Sequence, residues 1–266
     1  LDNLIYLYKN GKLPNKILFS GQKGIGKATL SYHLINFIFS NNEDFSYDEK
    51  KKEINSKNKS FKLLQNGSHP NFNIIDINSE KKNIDIDQIR DLIRNLNKSS
   101  FKDDPKFVLI DNIEYLNKNS VNALLKVLEE PNDDTYFILI NNNKKIFSTL
   151  KSRCIDFKIS LSHNESLKIT NKLLNTDVLD LIHEEYLDYY FTPGMVLNLI
   201  NFSQENSINL KELSLELFLK KIIKENIYKK QKSFKYIIYY FVELILKKKS
   251  DFGFDNFYDE FLNKMD

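Results

Sequence analysis

Short apolar runs alternate with helically spaced apolar positions through the first 160 residues. Residues 16–20 are too short and too continuously apolar for an amphipathic helix. A glycine-rich turn leads from them into a segment that places Leu30, Leu34, Phe37 and Ile38 on one face. The rhythm repeats with a strand at 72–77 and a helix carrying Ile86, Ile89, Ile93 and Leu96. It repeats again with a strand at 106–110 and a helix carrying Val121, Leu124, Leu125 and Leu128. Asn117 or Asn119 can cap this last helix, and Pro131 stands just beyond its end. Further strands are predicted at 136–140 and 155–159. Strands that alternate with helices in this way predict an α/β fold with a mostly parallel sheet covered on both faces.

Residues 41–68 interrupt the rhythm with Asn, Ser, Lys and Glu and a basic cluster at Lys50, Lys51 and Lys52, which predicts an exposed connection with room for a short helix. Past Ser160 the strand pattern gives way to helices, punctuated by Thr192-Pro193-Gly194 and by the polar run 203–209. Boundaries near 160 and 206 follow, giving an α/β domain over 1–160, a small helical domain over 161–205 and a helical C-terminal domain over 206–266. No internal repeat is evident.

Composition narrows the function classes. The 266 residues are 41% apolar and 28% charged, as in a soluble globular protein with room for two or three cores. No apolar run is long enough to span a bilayer and no leader opens the chain at Leu1, so a cytoplasmic protein without a membrane partner is expected. The single cysteine, Cys154, excludes an internal disulfide and a four-cysteine zinc module. A net charge of +3, from 39 basic and 36 acidic side chains, is too balanced to predict nucleic-acid binding by electrostatics alone.

Gly21, Gly24, Gly26 and Lys27 have the spacing of a phosphate-binding loop between a strand and a helix, where backbone amides and a lysine surround phosphate. Such glycines also serve as plain tight turns. The position after the lysine calls for a hydroxyl to ligate magnesium, and Ala28 has none. Thr29 is turned about 100° away along the helix and is not expected to compensate.

Together with Asn122-Ala123-Leu124-Leu125-Lys126-Val127-Leu128-Glu129-Glu130-Pro131 and Ser152-Arg153-Cys154, this loop resembles the clamp-loader branch of the AAA+ family. The resemblance implies a P-loop module, a small helical lid and a helical collar that joins subunits into a ring. It implies a degenerate nucleotide site at Gly21, Gly24, Gly26, Lys27, Thr29 and Asp111, with Asn142 as a sensor-like residue. The family follows the strand-end Asp with a Glu that activates water. Here Asp111 is followed by Asn112, which cannot take a proton, and Glu114 lies three positions beyond Asp111. The arginine that the family carries in its lid is missing from Thr192-Pro193-Gly194-Met195. Arg153, by contrast, matches the arginine that such subunits project onto a neighbour's nucleotide. Outside the resemblance an exposed arginine would be read as half of a surface ion pair.

The implied role is that of a subunit without ATPase activity of its own, acting in trans through Arg153. The implied partners are ATP-hydrolysing motor subunits of tau/gamma type and a delta subunit and, through them, a sliding clamp and primed DNA. No metal or zinc is expected, and ATP binding is not firmly expected. Two rivals stand beside this reading. An ATP-hydrolysing motor subunit is opposed by Ala28 and Asn112. A small-molecule P-loop kinase should cluster arginines in its lid, and residues 160–202 contain none. Cys154 reads as a packing residue, His69-Pro70-Asn71 as an extended entry to the second strand, and Lys229, Lys230, Lys232 and Lys247 to Lys249 as solvated charge.

Overall fold

Five parallel strands, β1 (Lys16–Ser20), β2 (Phe72–Ile75), β3 (Lys106–Ile110), β4 (Thr135–Asn141) and β5 (Ile155–Lys158), lie in the order β2-β3-β4-β1-β5. This computed structural model describes residues 1–77, 81–97, 104–130, 134–227 and 235–250. Contacts divide the chain into two units. One comprises Leu1–Gln22 with Gly26–Ser160, and the other Lys23–Ile25 with Leu161–Asp266.

The inner strands of the first unit have both faces covered, which explains their continuous apolar sequence. Alternate residues of one strand serve different layers. Ile17 and Phe19 join Phe107, Leu109, Ile138 and Ile140 beneath α1 (Asp2–Lys9) and α2 (Lys27–Phe39). Leu18 joins Val108, Ile110, Phe137 and Leu139 beneath α4 (Ile86–Leu96) and α5 (Lys118–Glu129). All five strands stand where the apolar pattern puts them. β2 stops at Ile75 rather than 77, because the next two residues turn into side-chain bonding: the Asp76 carboxylate accepts from the Ile77 backbone N–H at 2.6 Å. Asn117 is the cap of α5, accepting from the Ser120 backbone N–H at 2.9 Å. Pro131 lies outside the described residues.

The polar segment 41–68 contains the short helix α3 (Lys59–Gln65), and much of the segment is anchored rather than simply exposed. The Glu43 carboxylate accepts from the Ser60 hydroxyl at 2.6 Å and from the Lys59 N–H at 2.7 Å. Buried Asn36 and Asn58 exchange amide bonds of 3.3 and 3.2 Å. His69 does more than lead into β2, for its ring stacks on Phe39 with centroids 4.0 Å apart. Burial pushes its imidazole down to about 4, so it packs as a neutral ring. Among the described residues no cluster of His, Cys, Asp or Glu could hold a metal ion.

In the second unit α7 (His163–Leu174), α8 (Pro193–Glu205), α9 (Leu215–Lys224) and α10 (Lys235–Ser250) contribute to one apolar core. Phe202 meets Phe218 edge-on, and Phe218 in turn meets Phe241, so α8, α9 and α10 share that core across the boundary expected near 206. Thr192 caps α8, and its hydroxyl donates to the Lys23 carbonyl at 2.9 Å, while the Gly194 N–H donates to the Gly24 carbonyl at 2.9 Å. A Cβ at Gly194 would stand 2.7 Å from the Gly24 Cα, so no side chain of any kind fits there in this arrangement. Lys229, Lys230 and Lys232 lie outside the described residues, as do 251–266, and nothing of the Lys247 to Lys249 side chains is described.

Candidate functional site

The glycine loop that follows β1 leaves its C-terminal end next to an inner neighbour: the Gly21 N–H donates to the Asn141 carbonyl at the end of β4, 3.2 Å away. Gly26 has φ +92°, a left-handed conformation that a residue with a Cβ adopts only with strain, and it caps α2. Lys27 opens that helix almost fully buried. Its ammonium donates to the carbonyls of Gly21 at 2.9 Å and Gln22 at 2.7 Å, so the loop's own backbone receives the charge that a phosphate would receive. Ala28 packs against the apolar core, whereas Thr29 is exposed. The threonine therefore does not substitute for the missing hydroxyl.

The C-terminal ends of β2, β3 and β4 are joined by polar side chains. Asn112, at φ +56°, donates its amide to Asp76 at 2.7 Å and accepts from the amide of Asn142 at 2.8 Å. Asn142 also donates to Glu114, at 3.0 Å from its side chain and 3.4 Å from its backbone. Where a hydrolysing centre needs a carboxylate free to activate water, Asn112 is a neutral amide bonded on both sides. Glu114 is engaged by Asn142, the position read as sensor-like. Asp76 and Glu114 are the participants that sequence reasoning left out of the site. Asp76 carried one usable signal, since it follows β2 just as Asp111 follows β3.

The Asp111 carboxyl is pushed above its ordinary value of 3.8, first by burial and then by the charge of Asp76. The Asn112 N–H and the Lys27 ammonium pull the other way. Because the folded state holds this proton more tightly than the unfolded chain, Asp111 favours folding most at low pH. That contribution is lost as pH rises from 3.8 through the raised folded value. Asp111→Asn, which keeps an acceptor for the Asn112 N–H, is expected to raise stability at neutral pH and to flatten this slope. Thermal melts of both proteins from roughly pH 4 to pH 8 measure it. An Asp111→Asn protein less stable at neutral pH would give the carboxylate a structural role instead.

Arg153 stands elsewhere. It follows α6 (Ser148–Lys151) and precedes β5 by two residues. Its Nε and Nη2 donate to one oxygen of Glu129, at 3.1 and 2.5 Å, and its Nη1 donates to the Thr149 carbonyl at 3.0 Å. β1 and β5 are parallel, with Ile17 opposite Ile155 and Ser20 opposite Lys158. Ile155, the first residue of β5, is therefore level with Ile17, four positions before Gly21, or about 13 Å away along the strand direction, and Arg153 lies in the turn that precedes it. The loop and the arginine occupy opposite ends of the same sheet. Cys154 beside it is half-buried, and burial pushes its thiol up to about 11, so it is a packing residue and not a nucleophile.

The residues around the loop do not fit a magnesium-dependent hydrolytic centre. Ala28 offers no metal ligand, Asn112 no base, and Lys27 is bonded to the loop itself.

Residues 1–163 match the family described as DNA polymerase III, delta subunit. The chain is 32% identical over 181 residues to the DNA polymerase III subunit delta' of Buchnera aphidicola subsp. Schizaphis graminum, which covers 67% of this chain and 52% of that protein. It is 38% identical over 98 residues to the delta' subunit of Pseudomonas aeruginosa, covering 36% of this chain and 30% of that one. Against the DNA polymerase III subunit gamma of the same Buchnera it is 29% identical over 215 residues, covering 76% of this chain and 55% of gamma. The chain spans about half or less of the length of the delta' relatives it matches.

Proposed function

Since the chain belongs to the family of DNA polymerase III, delta subunit, we propose that it is the delta-prime subunit of a bacterial clamp loader, silent at its own nucleotide site and catalytic at a neighbour's. The observation that carries this reading is the parallel register of β1 and β5, which separates Arg153 from its own phosphate loop by the length of a strand. An arginine there can meet a nucleotide only when another subunit brings one. Its guanidinium lays parallel N–H bonds on the terminal phosphate held next door and offsets the charge that develops as that phosphate is transferred. The exposed apolar side chains Phe147 and Ile155, which flank Arg153 in the chain, suit a surface that a neighbour covers.

In this role the protein belongs to a cytoplasmic DNA polymerase holoenzyme. Residues 161–205 form its lid and 206–266 its share of the collar. Its direct neighbours are tau/gamma-type motor subunits and a delta subunit, and through them it helps place a sliding clamp on primed DNA. None of the described helices is long and apolar enough to cross a membrane. The similarity to gamma supports a second reading, an ATP-hydrolysing motor subunit, against which stand Ala28 and Asn112. ATP turnover by the isolated chain with magnesium separates the two. It is expected to match a protein-free blank, and turnover that Lys27→Ala abolishes would instead identify a motor.

A further inference from the structure

The α5 helix ends against a local electrostatic rule. Glu129 and Glu130 are both acidic at a C-terminus, where the helix dipole favours cations. A helix end that breaks such a rule is commonly compensated nearby for a functional reason. The compensating charges are Lys126 in the last turn and, from outside the helix, the Arg153 guanidinium on the Glu129 carboxylate. The helix end itself is fixed, because Lys16 at the start of β1 donates to the Leu128 carbonyl at 2.9 Å. Lys16, Leu128 and Glu129 thus form a continuous bonded path from the sheet to the arginine.

A guanidinium has five N–H groups. Glu129 and the Thr149 carbonyl take three of them, one each from Nε, Nη1 and Nη2. Among the described residues one N–H on each terminal nitrogen has no partner, which leaves two donors for a phosphate, and the side chain keeps 34% of its surface exposed. Arginine is also scarce in this chain, with only three among the 39 basic residues. The other two, Arg90 and Arg94, pair with Asp87 and Asp91 one turn away on α4, as ordinary surface arginines do. Arg153 instead reaches a residue 24 positions distant.

We propose that Glu129 is a positioning residue for Arg153, holding the guanidinium by its Nε edge so that its terminal N–H pair faces a neighbour's phosphate. This inference rests on the reading of Arg153 as acting in trans. Glu129 touches no nucleotide. It fixes a long, flexible side chain before the neighbour arrives, so that less freedom is lost when the phosphate is engaged.

The test is steady-state ATP turnover by the complex reconstituted with its motor and delta subunits, clamp and primed DNA, with assembly checked by size. Four forms of this chain are compared: Glu129→Ala, Glu129→Gln, Arg153→Ala and the Ala/Ala double variant. Glu129→Ala is expected to lower kcat about two- to fivefold, the scale of a half-exposed ion pair, with KM for ATP little changed. Glu129→Gln keeps an oxygen for the same donors and is expected to retain most of the native rate. The double variant should be no slower than Arg153→Ala, because the two residues act as one unit. If Arg153→Ala slows turnover while Glu129→Ala does not, or speeds it, or adds its own separate loss, the positioning role is overturned and the action of Arg153 stands. If Arg153→Ala itself has no effect, both fall.

Discussion

Arg153→Ala is expected to lower ATP turnover by the assembled complex tenfold or more while leaving the protein folded. Arginines that reach a transferring phosphoryl group accelerate it by about 10³ to 10⁵, equivalent to roughly 4 to 7 kcal/mol of barrier. The tenfold figure holds for motor sites that fire as one coupled cycle, in which the slowed site sets the rate of the whole; sites turning over independently would keep their own rate and hold the fall to about twofold or less. Stability should change little. The side chain is one-third exposed, and its ion pair with a half-exposed Glu129 contributes about 0–1 kcal/mol to folding. Lysine at this position should rescue poorly, because a single ammonium cannot reproduce both the Glu129 contact and a forked phosphate contact. Turnover is measured on complexes shown to have native composition.

Phe107→Ala is expected to produce the largest loss of stability. Phe107 is fully buried on β3, the second strand of the sheet from its β2 edge. Its ring stacks on Tyr136 with centroids 5.1 Å apart and meets Phe39 edge-on at 5.5 Å, and Phe39 carries His69 on its other contact. Truncation removes the transfer energy of the ring and leaves a cavity that the surrounding rings cannot all collapse to fill. The cost is about 3–5 kcal/mol, or a fall of roughly 5–15 °C in Tm for a protein of this size. A calorimetric shift below about 1 kcal/mol would mean that this aromatic group is not packed as described.

The sheet was legible because each strand announces itself locally, as a short apolar run closed by a turn or a helix signal. The helix α1 was not. It is eight residues long, and only Leu4 and Ile5 are buried on it, too little for a periodic pattern. The order within 41–68 was also hidden, since it rests on bonds from Glu43 to Ser60 and from Asn36 to Asn58, which leave no apolar period in the sequence. The same contrast divides the site. Gly21, Gly26 and Lys27 form one contiguous signature, so they could be read directly. Asp76, Asn112, Glu114 and Asn142 come together only because β2, β3 and β4 are neighbours in the sheet. The partnership of Glu129 with Arg153 likewise depends on where α5 ends after folding, although both motifs that supply them were visible.

The most direct measurement confines hydrolysis to one place. In a reconstituted complex, every motor subunit except the one facing Arg153 would carry a disabled phosphate-loop lysine, and single-turnover ATP hydrolysis would be compared between the native chain and Arg153→Ala. Free of dilution by other sites, the rate should fall by about 10³ or more. Equal rates in the two complexes would contradict catalysis in trans and leave Arg153 as one side of a surface ion pair.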